Sequence, residues 1–172
     1  MAMDLLQQYT TVYSNTCRGL GLNVANAILR IGNGVTQLPL WLKELCMFGI
    51  PGDGESKSGL FAQPAGKDNR ISDPAGLMRL YIKHNQYGEA CDVVTSILSK
   101  QASSTNASTR LPEKGSIDYV PYDLIDMLWN MIDSVIATNS SNSSDDVKSQ
   151  VKSLIRRRAC MEQALEKHFE SL

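Results

Sequence analysis

The sequence predicts an all-α protein, and two patterns along the chain indicate this class. Apolar residues recur at the three- and four-residue spacing of helices along most of the 172 residues. No segment alternates apolar and polar residues between turn signals, as a half-buried strand does. We therefore expect residues 1–172 to form one helical domain of stacked hairpins, the end of an α-solenoid, and an irregular one because no unit repeats at a fixed period.

The first two helices are predicted from their apolar faces and from the residues at their ends. Asp4 is a suitable cap for a short helix that runs to about Ser14. A second helix is expected over about 22–31, and the Gly-Asn-Gly sequence at 32–34 favours a left-handed stop after it. The apolar faces consist of Leu5, Tyr9 and Val12 in the first helix and of Leu22, Ala25 and Leu29 in the second.

The next three helices include an antiparallel hairpin. Pro39 suits the first position of a third helix, which Gly49 ends. Ser72 or Asp73 can cap a fourth helix that starts at Pro74, and the sequence Asn-Gln-Tyr-Gly then turns the chain into a fifth. The inward residues are expected to be Leu42, Leu45 and Cys46 in the third helix, Leu77, Leu80, Tyr81 and His84 in the fourth, and Ala90, Val93, Val94 and Ile97 in the fifth.

Two further helices complete the chain. Pro121 opens the sixth, and the last begins at about Ser144, where Asp145 and Asp146 favour the positive end of the helix dipole. The spacing of the last stripe is typical of a helix that docks on another helix, inside or outside this chain. Segments 49–72, 101–118 and 138–144 are predicted to be flexible loops. The inward stripes are Leu124, Ile125, Leu128, Ile132 and Val135, then Val147, Val151, Leu154, Arg158, Met161, Leu165, His168 and Leu172.

The glycine-rich sequence GIPGDGESKSG at 49–59 has the glycine spacing of a phosphate-binding loop but not its chemistry. Gly49 and Gly54 are correctly separated, yet Glu55 occupies the position of the phosphate-binding lysine and Lys57 comes two positions late. Such a loop also follows a buried strand and opens a helix, whereas this one follows a predicted helix and continues into loop. A surface insertion is the better interpretation.

Other candidate sites are also better explained without catalysis. His84 near a turn has no evident catalytic partner, Asp123, Asp126 and Asp133 offer too few ligands for a cation, and Arg156–Arg158 has no interleaved aromatic residues. We expect His84 to be a turn or core histidine and the three aspartates to form a solvated acidic face. The arginine run is expected to form a salt-bridged surface with Glu162 and Glu166. The sequence therefore predicts no enzyme, no cofactor, no metal and no small-molecule substrate.

Composition and net charge limit the cellular location and the classes of partner that we expect. The four cysteines form no closely spaced pair, which favours buried reduced thiols. No apolar run approaches the roughly 20 residues of a membrane-spanning helix, and the start has no secretory signal, so we expect no membrane insertion and a cytosolic or nuclear location. A net charge of −1 gives no general attraction to nucleic acid, so no direct nucleic-acid partner is expected.

Interface residues are the remaining candidates. Trp41 is expected in the core, whereas Trp129 flanks the stripe of its helix, so that partial exposure to a partner is expected. The last two helices are favoured because the terminal unit of a stack exposes a face that an interior unit covers. The predicted partner-binding residues are Trp129, Val151, Leu154, Met161 and Leu165.

Three blocks of sequence carry a family resemblance: LPLWLKEL, DPAGLMRLYIKHNQYGEACDVVTSIL and VPYDLIDMLWNMI. In their order and gaps they resemble the C-terminal region of the hundred-and-sixty-kilodalton-class nucleoporin, a scaffold subunit of the Y-shaped outer-ring complex of the nuclear pore. The glycine- and serine-rich loops look like those of a plant version. The matching residues are Leu38, Pro39, Trp41 and Leu42, then Arg79, Leu80, Tyr81, Glu89, Ala90 and Val93, then Pro121, Tyr122, Ile125, Asp126 and Leu128.

The resemblance implies a structural function at the nuclear envelope. It implies a scaffold component that supports nucleocytoplasmic transport and messenger RNA export through helix-mediated contacts with other scaffold nucleoporins. The family protein also carries a propeller and a longer solenoid, so this chain is expected to be a fragment or a truncated form. A helical adaptor, of the vesicle-coat or tetratricopeptide-like kind, remains the alternative because it shares the stacked hairpins.

Overall fold

The computed structural model describes residues 2–14, 17, 19–33, 36–49, 72–103, 120–139 and 144–170. Within these ranges the chain forms α-helices and no strands, which confirms the predicted all-α class. The predicted loops lie mostly outside the described residues, although α5 extends into the second and α6 into the third. The helices are α1 (Ala2–Ser14), α2 (Leu20–Ile31), α3 (Leu40–Phe48), α4 (Pro74–Lys83), α5 (Tyr87–Ser103), α6 (Tyr122–Asn139) and α7 (Asp145–Glu170).

The α4–α5 hairpin forms as predicted because its local signals agree. The Asp73 carboxylate accepts a 2.7 Å hydrogen bond from the backbone N–H of Gly76, and Pro74 occupies the first turn of α4. Asn85 turns the chain with a φ of 59°, a left-handed conformation that asparagine tolerates better than most residues. The two helices that follow from these signals pack against each other.

A backbone hydrogen bond and a close side-chain approach bring α2, α3 and α4 together. The N–H of Asp73 donates a 2.8 Å hydrogen bond to the carbonyl of Cys46, which joins the end of α3 to the start of α4. A Cβ atom at Gly76 would lie 2.6 Å from Leu22 Cδ1, closer than carbon atoms can pack. Glycine at this position therefore lets α2 approach the first turn of α4.

The boundaries of α2 and α3 follow the prediction except at their starts. Helix α2 ends at Ile31, as predicted, and within the Gly-Asn-Gly stop the left-handed residue is Asn33, with a φ of 47°, while Gly32 has a φ of −81°. Pro39 is the residue before α3 rather than its first helical residue, and its carbonyl accepts the N–H groups of Leu42 and Lys43. The start of α2 at Leu20 and the start of α3 at Leu40 thus differ from the predicted starts by two residues and one residue, which sequence signals do not resolve.

The core is built from the predicted inward faces of α2 to α6. Leu29, Leu42, Leu77, Val94 and Leu128 illustrate this, since each is fully enclosed. Trp41 packs half-buried against this cluster. The predicted inward residues that are buried are Ala25, Leu29, Leu42, Leu45, Cys46, Leu77, Tyr81, Ala90, Val93, Val94, Ile97, Ile125, Leu128 and Ile132.

The apolar face of α1 does not pack inward, contrary to the usual expectation for such a stripe. Leu5, Tyr9 and Val12 are 63%, 55% and 64% exposed, whereas Thr10 and Ser14 are buried. The two buried hydroxyls donate to carbonyls of their own helix, Thr10 to Leu6 and Ser14 to Thr10. Small side chains that satisfy their own polar groups let α1 lie on its neighbours without burying its large residues. Asp4 lies within the first turn instead of capping it.

The helices pack largely in chain order. The first helix contacts α2 and α3, both of these contact α4, and the α4–α5 hairpin contacts α6. The last helix lies on α5 and α6, and its contact with α5 is the most extensive between any two described helices. No helix in the described part of the chain is long and apolar enough to cross a membrane.

Candidate partner-binding surface

Helix α6 supplies one side of the predicted surface. Its backbone begins at Pro121, whose carbonyl accepts the N–H groups of Leu124 and Ile125. The buried stripe faces the core, while Asp123 and Asp126 are exposed, which confirms a solvated acidic face at these two positions. The edge of the stripe carries Trp129, which is half-buried against the core and partly open to solvent, as predicted.

The stripe of α7 is occupied by contacts within the chain. Met161 is fully buried, so its side chain is not accessible to a partner while α7 is in place. Leu154 and Leu165 are half-buried against the core, and Val151 is half-buried nearer the start of α7. Four of the five predicted partner-binding residues therefore retain some accessible surface, and their role in binding stays a prediction.

Arg158 fastens α7 to α6. Its guanidinium carbon lies 4.4 Å from the centroid of the Trp129 ring, close enough for a cation–π interaction. The same guanidinium forms an ion pair with the Asp133 carboxylate. A polar residue in the apolar stripe of α7 thus contributes to packing, because its stem and planar head cover an aromatic ring.

Glu89 joins three helices. Its carboxylate lies 2.5 Å from Lys43 Nζ of α3 and 2.9 Å from Arg157 Nη1 of α7, and its side chain is 14% exposed. Arg157 Nη1 also lies 3.0 Å from Asp92 Oδ2. Burial alone would raise the pKa of Glu89, but the hydrogen bonds from Lys43 and Arg157 outweigh it and hold that pKa below its ordinary value. Glu89 is therefore an ionised bridge.

These ion pairs correct the prediction for the arginine run. Arg156 is exposed, but Arg157 and Arg158 turn inward and pair with carboxylates of α5 and α6 instead of forming the expected surface pairs with Glu162 and Glu166. The interruption of the α7 stripe at Arg158 was the one sequence signal of this arrangement.

An exposed aromatic cluster lies where the start of α6 meets the end of α7. The rings of Tyr122 and Phe169 stack with centroids 5.9 Å apart, and these side chains are 40% and 57% exposed. Tyr122 Oη lies 2.9 Å from His168 Nε2, within hydrogen-bond distance. Tyr122 is among the residues that carry the family resemblance, but neither Tyr122 nor Phe169 was predicted to bind a partner, because both lie outside the regular stripes and meet only through the antiparallel packing of α6 and α7.

The remaining candidate residues have structural surroundings. His84 ends α4, and its Nε2 lies 3.1 Å from Asn26 Oδ1, as expected of a turn histidine. Among the described residues, no group of histidine, cysteine and acidic side chains is gathered closely enough to hold a metal ion. Apart from Gly49, the glycine-rich sequence at 49–59 lies outside the described residues.

The cysteines divide into two classes, which corrects the expectation that all are buried. Cys46 and Cys91 are buried, whereas Cys17 and Cys160 are exposed, and all four are free thiols. Burial raises the pKa of each buried thiol from 9.0 to about 12, with a further increase from the nearby Asp73 carboxylate for Cys46 and from Asp92 for Cys91. These two thiols are packing groups at neutral pH.

Comparison with known proteins shows a sequence similarity to a nuclear pore complex protein. The chain is 26% identical over 126 residues to the nuclear pore complex protein NUP160 of Arabidopsis thaliana. The match covers 73% of this chain but spans only 8% of the length of that relative. No protein-family model matches the chain, and no solved structure matches it either. Over most of its own length, the chain is thus similar in sequence to a short part of a nuclear pore complex protein.

Proposed function

We propose that this chain is a nucleoporin-like scaffold segment that takes part in the nuclear pore complex. The similarity to NUP160 over 73% of the chain is the observation that carries the proposal. In this role the chain supports nucleocytoplasmic transport and messenger RNA export through helix-mediated contacts with other scaffold nucleoporins, at the nuclear envelope. It performs no catalysis and takes no cofactor or small-molecule substrate.

The packing of the helices supports a place at the end of an α-solenoid. In a solenoid each unit packs mainly on its neighbours in the chain. The α4–α5 hairpin is consistent with this rule, since α4 contacts α2 and α3, α5 contacts α7, and both contact α6. We therefore propose that these pairs are successive units of an irregular stack.

The partner-binding surface is proposed on α6 and α7. Its accessible members are Trp129, Val151, Leu154 and Leu165 from the predicted set, together with Tyr122 and Phe169 from the aromatic cluster. Aromatic side chains are favoured as interface anchors because they bury a large area with few rotatable bonds. Met161 supports this surface from beneath by holding α7 in place.

Localisation in plant cells tests the proposed function. The full chain fused to a fluorescent protein is expected to concentrate at the nuclear rim, and affinity purification is expected to recover scaffold nucleoporins. An even distribution through the cell, with recovery of vesicle-coat components instead, would support the helical adaptor. An even distribution with neither set recovered would contradict both assignments.

Single substitutions then test the surface. Phe169→Ala removes an exposed ring and is expected to weaken nucleoporin recovery by about tenfold or more, since an anchor contributes on the order of 2 kcal/mol. Leu40→Ala is the matched control, because Leu40 is 71% exposed on α3, outside the proposed surface. Equal recovery with both variants would remove Phe169 from the proposal. Truncation before α7 is a poorer test, because it also deletes the buried Met161.

A further inference from the structure

Arg157 occupies a socket at the start of α5. Its Nη1 lies 2.9 Å from Glu89 and 3.0 Å from Asp92. A Cβ atom at Gly88 would lie 3.0 Å from Arg157 Cδ, so the arginine stem lies directly on the α5 backbone. The stem of Arg157 therefore packs on Gly88, and its guanidinium pairs with Glu89 and Asp92. We call Arg157 and these three residues the Arg157 clasp.

The face of α5 beside the clasp carries a buried thiol. Cys91 and Asp92 follow Gly88 by three and four residues, so all three share the side of α5 that faces Arg157. Cys91 is fully buried, and α7 packs on α5 more extensively than any other described helix does, with the Arg157 stem lying over Gly88 one turn away. Helix α7 therefore covers Cys91.

Helix α7 buries little apolar surface where it packs over Cys91. Met161 is its one fully buried residue among Asp145–Glu170, and the other apolar side chains of its stripe remain partly accessible. Helix α5, in contrast, buries six apolar side chains between residues 90 and 98. Elements with few buried apolar contacts open at a lower free energy than the rest of a domain.

We infer that α7 is a local cover held on α5 by the Arg157 clasp, and that release of the clasp uncovers the Cys91 face of α5 and the α7 stripe while the remaining helices stay folded. In the closed state the α7 stripe contacts this chain, so any partner that binds the full stripe competes with α5 and α6. The inference goes beyond the proposed function and does not require it.

The native cysteines report this opening in the purified full chain. A maleimide is added in excess, the reaction is stopped at intervals, and peptide mass spectrometry measures labelling at each cysteine. Cys91 on α5 reports opening of α7, while the equally buried Cys46 on α3 reports unfolding of the helices that α7 does not cover. When opening is fast relative to labelling, the labelling rate follows the population of the open form.

Arg157→Gln and Arg156→Gln form a matched pair, since both remove one charge from adjacent positions of α7. In Arg157→Gln the labelling of Cys91 is expected to rise roughly three- to tenfold, the range for loss of a partly buried charged hydrogen bond, with little change at Cys46. Arg156→Gln is expected to leave both rates unchanged, because Arg156 is exposed. Glu89→Gln, compared with the exposed Glu44→Gln, is expected to raise the labelling of Cys91 from the other side of the clasp, but it also removes the partner of Lys43 on α3, so Cys46 is not its control.

Two results would overturn the inference. If Cys91 and Cys46 accelerate by the same factor in Arg157→Gln, with the strong urea dependence of global unfolding, the clasp stabilises the whole fold and α7 does not open locally. If Cys91 labels at the same rate in Arg157→Gln and Arg156→Gln, the clasp does not hold α7. Selective acceleration at Cys91 with a weak urea dependence supports the inference, whether or not the chain binds nucleoporins.

Discussion

Helices α1 and α7 each carry apolar residues at helical spacing, yet α7 turns its stripe toward its neighbours and α1 turns its stripe toward solvent. Met161 of α7 is fully enclosed, whereas Leu5 and Val12 of α1 are more than half exposed. Helix α1 instead faces its neighbours with Thr10 and Ser14. A stripe therefore predicts that a helix has an apolar face, but the size and polarity of the opposite face also affect which side packs inward.

Replacing one methionine in each helix should give the greatest difference in the free energy of unfolding between α7 and α1. Met161→Ala should lower the free energy of unfolding by about 2–5 kcal/mol, because it leaves a cavity beneath α7. Met3→Ala is the control in α1, where the side chain is 48% exposed, and should change it by less than about 0.5 kcal/mol. Urea denaturation measures both values. Similar losses in the two variants would mean that α1 and α7 are packed alike.

Alkaline pH should have the second-largest effect, because it lowers the free energy of unfolding through the two buried thiols. Cys46 and Cys91 have pKa values of about 12 in the folded chain against 9.0 ordinarily, so their contribution to stability is complete below pH 9 and is lost between pH 9 and 12. At pH 10 each thiol should reduce the free energy of unfolding by on the order of 1 kcal/mol. Cys91→Ala should reduce this loss, whereas Cys160→Ala, at an exposed position, is the control. An equal pH dependence in the two variants would contradict the enclosure of Cys91.

Arg158 should have a smaller effect at the contact between α7 and α6. Arg158→Met keeps a long stem but removes the ion pair with Asp133 and the cation over Trp129, and should cost about 1 kcal/mol. Arg156→Met is the control on the same helix. Chemical denaturation measures the difference, and a cost in Arg156→Met as large as in Arg158→Met would show that the inward position of Arg158 contributes nothing.

The smallest expected effect is on the outer face of α1. Leu5→Ser combined with Val12→Ser should change the free energy of unfolding by no more than about 0.5 kcal/mol per site, because both side chains are already in solvent. Thermal or urea denaturation of the monomeric chain measures this. A loss above about 2 kcal/mol would show that the α1 stripe is buried in solution.

The sequence predicts the elements whose signals are local. Asp73 and Pro74 define the start of α4, and the spacing of Ala90, Val94 and Ile97 defines the buried face of α5, so this hairpin follows from the residues alone. The stripes of α6 and α7 are predicted for the same reason. The predicted starts of α2 and α3 were two residues and one residue in error because several adjacent residues suit each position.

The side-chain contacts between helices were not predictable, because they join residues that are distant in the chain. Arg157 and Glu89 are 68 positions apart, and no local pattern identifies Glu89, rather than another acidic residue, as the partner of Arg157. The orientation of α1 depends likewise on its packing against α2 and α3, which no local pattern shows. The aromatic cluster of Tyr122 and Phe169 arises only when α6 and α7 lie antiparallel.

Methionine oxidation in the native chain shows whether α7 packs its stripe inward while α1 leaves its own in solvent, since Met161 is buried and Met3 is 48% exposed. The folded protein is treated with dilute hydrogen peroxide, and peptide mass spectrometry follows sulfoxide formation at Met3 and Met161. Met3 should oxidise rapidly and Met161 should be protected until urea unfolds the chain. Oxidation of Met161 as fast as Met3 in the folded protein would contradict the account.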